Sequence, residues 1–131
     1  MNLEPLLAAS PAIQLHTAAA TAALAVAALQ VLPSRGSTVH RWTGRLWMVL
    51  MALTAGSSLF IHHIQLWGPW SPIHLLSVAT LASLVTGIRA ARKGRIREHR
   101  ATMISLVAFA LVGAGIFTLL PGRIMNAVLF G

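Results

Sequence analysis

Four apolar runs separated by short polar breaks organise the chain, at about 11–32, 46–67, 72–89 and 101–120. Each run meets or approaches the roughly 20 residues a helix needs to cross a bilayer. The first break holds Pro33, Ser34 and Gly36, and Ser37 or Thr38 is placed to cap the next helix. The second, Gly68 to Pro72, is a tight turn with Ser71 as N-cap and Pro72 as first helical residue. The third, within Gly87 to Met103, is a basic loop, and Pro121, Gly122 and Arg123 break the last run before a short apolar tail. The pattern predicts an all-α, integral membrane four-helix bundle, with residues 1–131 forming one four-span domain.

Composition sharpens this reading. The 131 residues are 56% hydrophobic and only 9% charged, whereas a soluble domain carries about 25% charged residues. A soluble fold this small cannot cover so much apolar surface, and lipid can. The Ala-rich first run, from Ala18 to Ala28, allows another helix or a flat cofactor to approach its backbone. The absence of cysteine excludes disulfides, thiolate metal sites, iron–sulfur clusters and covalently attached haem. Glu4 stands where a basic signal-peptide region would lie, so no cleaved signal is expected.

Charge sets an expected orientation. Nine of the ten Lys and Arg residues fall in the first and third breaks, six of them in the third. The positive-inside rule then places both basic loops in the cytoplasm and both termini on the outer side. Trp67 and Trp70 at the outer boundary, with Trp42 and Trp47 near the inner one, form the expected aromatic belts. The net charge of +8 reads as a topology signal beside an anionic leaflet. A nucleic-acid partner is not expected, because the basic loops lack interleaved aromatics and any recognisable module.

This topology sorts the six histidines into two layers. His16, His62, His63 and His74 lie outside, with Arg123 at a similar height, and His40 and His99 lie inside. At 100° per residue His62 falls within about 40° of His40, while His63 points away. Near helix ends a polar side chain costs little, and each histidine alone reads as an interfacial side chain or a helix-end hydrogen bond. Two histidines at one depth on different helices can also share one metal centre, and neutral imidazole is a good axial ligand for haem iron. The predicted pairs are His16 with His74 and His40 with His99, on helices that are diagonal or adjacent according to the winding. Arg123 is the candidate for outer haem propionates, and Arg41, Arg45 or Arg100 for inner ones. Taken singly, the inner arginines read as topology and lipid contacts. Gly44 and Gly113 are candidates to clear space for a ring, and otherwise read as packing contacts. His62 and His63 are alternative outer ligands or a surface zinc or copper site.

Five motifs carry a family resemblance: His16 in the first run; His40-Arg41-Trp42-Thr43-Gly44; Ser71-Pro72-Ile73-His74-Leu75-Leu76-Ser77; Glu98-His99-Arg100 followed by Met103; and Pro121-Gly122-Arg123. Together they resemble bacterial four-helix membrane proteins grouped as a predicted family of unknown function. That grouping is in turn similar to b-type haem membrane cytochromes, in which paired histidines on a four-helix bundle carry haem across the bilayer. Unlike the best known of those cytochromes, no single helix here carries two ligands about four turns apart.

The resemblance implies a bacterial cytoplasmic (inner) membrane location, one or two haems b, redox partners and electron transfer rather than hydrolase or transferase chemistry. A quinone is a further candidate cofactor, and the alanine-rich faces are compatible with an oligomer. The competing expectation is a haem-free accessory subunit docked on a respiratory or photosynthetic membrane complex. A transporter would be expected to show intramembrane carboxylates or broken helices, and neither is visible.

Overall fold

Where the sequence alternates long apolar runs with Gly and Pro breaks, the chain forms helices joined by tight turns. The structure is a computed structural model and describes residues 1–61 and 72–131. The described residues contain no strand. Short helix α1 spans Glu4–Leu7, α2 Pro11–Leu29, α3 Thr38–Ser58 and α4 Pro72–Arg92. Helix α5 runs Ile96–Phe117, and short α6 closes the chain at Ile124–Phe130. Among the described residues three helices are long and apolar enough to cross a membrane: Pro11–Leu29, His74–Arg92 and Ile96–Phe117. Helix α3 is not among them, since Arg41 and Arg45 occupy its first turns and its described length stops at Ser58.

The breaks fall at different residues from those the apolar runs imply. The expected first run reaches Leu32, but α2 stops at Leu29 and Gln30 caps it, ahead of the helix-breaking Pro33. The basic loop shrinks to three residues, because arginine and lysine are good helix formers and extend α4 through Arg92. Gly94, at φ 74°, ends α4 in a left-handed turn. There Arg95 N donates to Ala90 O (2.8 Å) and Gly94 N to Ala91 O (3.2 Å), which is a Schellman cap. Gly87, expected at the start of the loop, is instead buried inside α4 against Met103 and Thr102 of α5. A Cβ at Gly87 would displace only the terminal methyl of Met103, and the close approach of α4 and α5 here is marked by the hydrogen bond from His99 Nδ1 to Gly87 O (2.9 Å). The stretch 62–67 of the expected second span lies outside the described residues.

Consecutive long helices pack side by side: α2 on α3, α3 on α4, and α4 on α5. The middle of α5 then returns to α2. Among the described residues α2 does not pack on α4, nor α3 on α5. That middle stretch, Leu106–Gly113, is π-helical. Its i→i+5 bonding lets both Leu106 and Leu111 turn inward, though α geometry would set them about 140° apart. A small core of Ala23, Trp47, Met51, Leu84, Leu106 and Leu111 joins all four long helices. The chain ends also meet, since Asn2 N donates to Val128 O (2.8 Å) and α1 packs on α6.

The distribution of side chains is inverted relative to a soluble protein. Leu75, Val78 and Phe109 are 67%, 56% and 72% exposed, while His74 and Ser77 are 3% and 4% exposed. Apolar bulk faces outward and small or polar side chains face inward, which lowers free energy only in lipid.

Two glycines in this frame respond oppositely to alanine. Gly94→Ala forces a left-handed Cβ and is expected to cost about 1 kcal/mol. Gly115 has open space around it and no positive φ, so Gly115→Ala is expected to stabilise by about 0.5 kcal/mol. Thermal unfolding in detergent reads both, and shifts of the same sign would contradict this account of the turn.

Candidate functional site

The polar groups inside the protein gather at the two ends of the long helices. Helix α2 lays a seam of His16, Ala19, Ala23 and Gln30 along α3, spaced three, four and seven residues apart on one face. Its alanines let the backbones close, and its polar ends clasp α3. At one end His16 Nδ1 donates to Thr54 O (2.8 Å) and lies 3.3 Å from Ser57 Oγ. At the other, Gln30 Nε2 donates to His40 O (3.0 Å), and Thr43 donates its hydroxyl to Gln30 Oε1. Ser37 caps α3 by accepting from His40 N (3.2 Å).

The C-terminal end of α3 is densely hydrogen-bonded among the described residues. A helix leaves its last carbonyls without intrahelical partners, and buried carbonyls need them. Here Ser57 donates to Thr54 O (3.1 Å) and Ser58 to Ala55 O (2.6 Å). His74 Nε2 of α4 donates to Leu59 O (3.2 Å), and the hydroxyls of Ser58 and Ser77 bond each other. Thr80, one turn further along α4, is also buried and returns its hydroxyl to Leu76 O (2.8 Å). His16 and His74 thus meet the same end of α3 from two sides, on diagonally placed helices.

His40 and His99 are held differently. His99 of α5 donates Nδ1–H to Gly87 O of α4 (2.9 Å). His40 Nδ1 is buried without a hydrogen-bond partner, as is Trp47 Nε1 seven residues later on the same face of α3. Gln30 Nε2 lies 3.2 Å from where a Cβ of Gly44 would stand, so this glycine faces the Gln30 clasp rather than open room for a ring. At Gly113 the corresponding space is taken by Ala108 O of its own helix (3.2 Å).

The arginines expected to hold propionates stand at the surface. Arg123 lies over the Phe117 ring (4.5 Å) and Arg45 over Trp42 (5.0 Å), while Arg41 and Arg100 are exposed. His62, His63, Trp67, Trp70 and the expected cap Ser71 lie outside the described residues.

Haem needs axial imidazoles, each presenting one nitrogen to iron while the other is held by an acceptor. His16 and His99 meet this requirement, since both bind a backbone carbonyl through Nδ1, and their Nε2 atoms have no hydrogen bond among the described residues. His74 is oriented the other way, with Nε2 on Leu59 O. His40 has a buried imidazole nitrogen still lacking an acceptor. Among the described residues no three His, Asp or Glu side chains converge on a metal position, and a two-ligand centre requires only two.

Thr54, Ser57, Ser58, Ser77 and Thr80 complete the outer network and were not singled out as site residues from the sequence. Their signal is there: hydroxyls at 54, 57 and 58, and at 77 and 80 after His74, follow helical spacing inside otherwise apolar runs. The network makes a direct prediction. His74→Ala leaves the Leu59 carbonyl without this donor and opens a cavity, at a cost of about 2–4 kcal/mol. Leu75→Ala, beside it on the exposed face, is expected to cost under about 1 kcal/mol. Detergent unfolding of the two variants decides, and equal losses would contradict the inward placement of His74.

No curated protein and no solved structure matches this chain. Residues 13–130 match a family model described as "Predicted membrane protein (DUF2306)", which runs from the first turn of α2 to the end of α6. The apolar exterior, the three membrane-length helices and this match agree, and the chain belongs to the DUF2306 family of predicted membrane proteins.

Proposed function

We propose that this chain is a membrane b-type cytochrome that carries electrons across or within the bilayer through histidine-ligated haem. The observation that carries the reading is the shared set of bonds at His16 and His99. Each donates Nδ1–H to a carbonyl of the neighbouring helix, at 2.8 and 2.9 Å, which fixes the ring and directs the Nε2 lone pair elsewhere. The two imidazoles belong to opposite layers, so each end of the molecule has one prepared ligand. The orphaned His40 Nδ1 and Trp47 Nε1 support the inner position, because buried polar atoms call for a partner. Haem b bound at either layer would supply one-electron chemistry, while the chain supplies ligation and an apolar surround.

The reading includes four crossings, with both termini outside and both basic loops in the cytoplasm. Its support is the Asn2–Val128 hydrogen bond: chain ends that meet suit an even number of passes, with α3 as a fourth beside the three membrane-length helices. The bacterial inner membrane is the corresponding location.

A second reading has its own observation. His16, His74 and His99 each satisfy a backbone carbonyl of a neighbouring helix, which suits a haem-free subunit of a larger membrane complex whose histidines only fasten helices. The two readings part on one experiment, the absorption spectrum of detergent-purified protein, oxidised and then dithionite-reduced, with haem quantified per chain. The cytochrome reading expects a sharp reduced α-band and one or two haems per chain. His99→Ala is expected to remove the inner signal, His16→Ala the outer one, and His63→Ala neither. A colourless protein after expression with added haem overturns the proposal in favour of the haem-free subunit.

A further inference from the structure

Two adjoining grooves between α4 and α5 have complementary chemistry. The larger, about 380 Å³, is a trough open to the surroundings, with walls that include Leu76, Ala79, Ala101, Leu106, Phe109 and Ala110. The smaller, about 170 Å³, lies at the α4–α5 turn and is lined by Arg89, Lys93, Arg95 and Glu98. Thr86 lines both, so the trough runs directly into the basic cup. The cup has three cations and one anion, and Glu98 is already 3.6 Å from Arg95. An excess of two positive charges therefore faces whatever enters it.

The trough is less polar than its threonines imply. Thr80, Thr86 and Thr102 return their hydroxyls to their own helices, on Leu76 O, Ser83 O and Glu98 O at 2.8, 3.0 and 2.9 Å. Their methyl groups remain for contact. Ser83 and Ser105 hold the two lining hydroxyls that have no hydrogen bond among the described residues. Each stands about one turn beyond a threonine nearer the cup, Thr86 or Thr102. From Thr86 to Leu76 the wall is about 15 Å long at 1.5 Å per residue, which is half of a hydrocarbon core about 30 Å thick.

We infer that this face of α4 and α5 binds one anionic phospholipid. The phosphate-bearing headgroup sits against Arg89, Lys93 and Arg95, and one acyl chain lies in the trough along a single leaflet. Charge complementarity selects the headgroup. The Ser83 and Ser105 hydroxyls stand below the phosphate, at the level where glycerol ester carbonyls can accept from them. The site stands independently of any haem.

Native mass spectrometry of the full chain in nonionic detergent, with equimolar phosphatidylglycerol and phosphatidylcholine, tests the site. The expected result is one retained phosphatidylglycerol per chain in preference to phosphatidylcholine. Arg89→Gln with Lys93→Gln is expected to lower that preference about fivefold per charge removed. Both side chains are exposed, so an unchanged helical circular dichroism spectrum verifies that the fold is intact. Arg41→Gln with Arg45→Gln, at the other basic loop, is expected to leave the preference unchanged. Ser83→Leu narrows the trough and is expected to reduce retention of long-chain phosphatidylglycerol but not of its dihexanoyl form. Equal retention of both lipids, an unchanged preference in the Arg89/Lys93 variant, or a lipid-free dimer closing this face overturns the inference.

Discussion

In lipid a buried carbonyl has no water to turn to, and that constraint governs the end of α3. Its exposed alternative would be an unsatisfied acceptor in a hydrocarbon medium, at a cost of several kcal/mol. Imidazoles from two flanking helices and hydroxyls of α3 itself meet the carbonyls of Thr54, Ala55 and Leu59, and Ser77 of α4 bonds the Ser58 hydroxyl. Those bonds fix the position of α3 between α2 and α4. Between lipid-facing helices the hydrophobic effect gives no preference for association, so small residues and interhelical hydrogen bonds set the packing. The alanine seam of α2 and the Gly87 crossing of α4 with α5 provide the close approach, and the clasps at either end provide the register.

The same logic explains why the polar atoms form two layers rather than a central chain. The middle of the molecule holds Ala23, Met51, Leu84 and Leu106, with Trp47 as its one large aromatic. Trp47 and His40 break the pattern, because each keeps a buried nitrogen without a partner on one face of α3. Among the described residues these are the two buried side-chain nitrogens without a hydrogen-bond partner, and they lie about two turns apart on α3.

Much of this was legible in the sequence. The apolar runs, the Ser37 cap, and the placement of His40 and His99 near helix starts all follow from local chemistry. His16 and His74 also reach the same end of α3, as their expected pairing implies. What was not legible is which groups they address. His74 and Leu59 are 15 residues apart, and His16 and Thr54 are 38 apart, so no local periodicity reports their pairing. The extent of α4 was hidden for a different reason. Its last turn is basic, and hydropathy ends a span where charge begins, although arginine and lysine continue a helix readily. The π-helical stretch was hidden because Leu106 to Gly113 is apolar on every side and presents no stripe from which to read a period.

The proposed four-crossing topology requires α3 to cross the membrane with the three membrane-length helices, despite the arginines in its first turns. A chain without cysteine allows a direct measurement. Single cysteines at positions 2, 34, 93 and 131 can be labelled with a membrane-impermeant maleimide in sealed vesicles of one orientation. Four crossings predict that positions 2 and 131 react from one side and positions 34 and 93 from the other. Labelling of 2 and 131 from opposite sides, or of 34 from the same side as 2, would contradict the four-helix account.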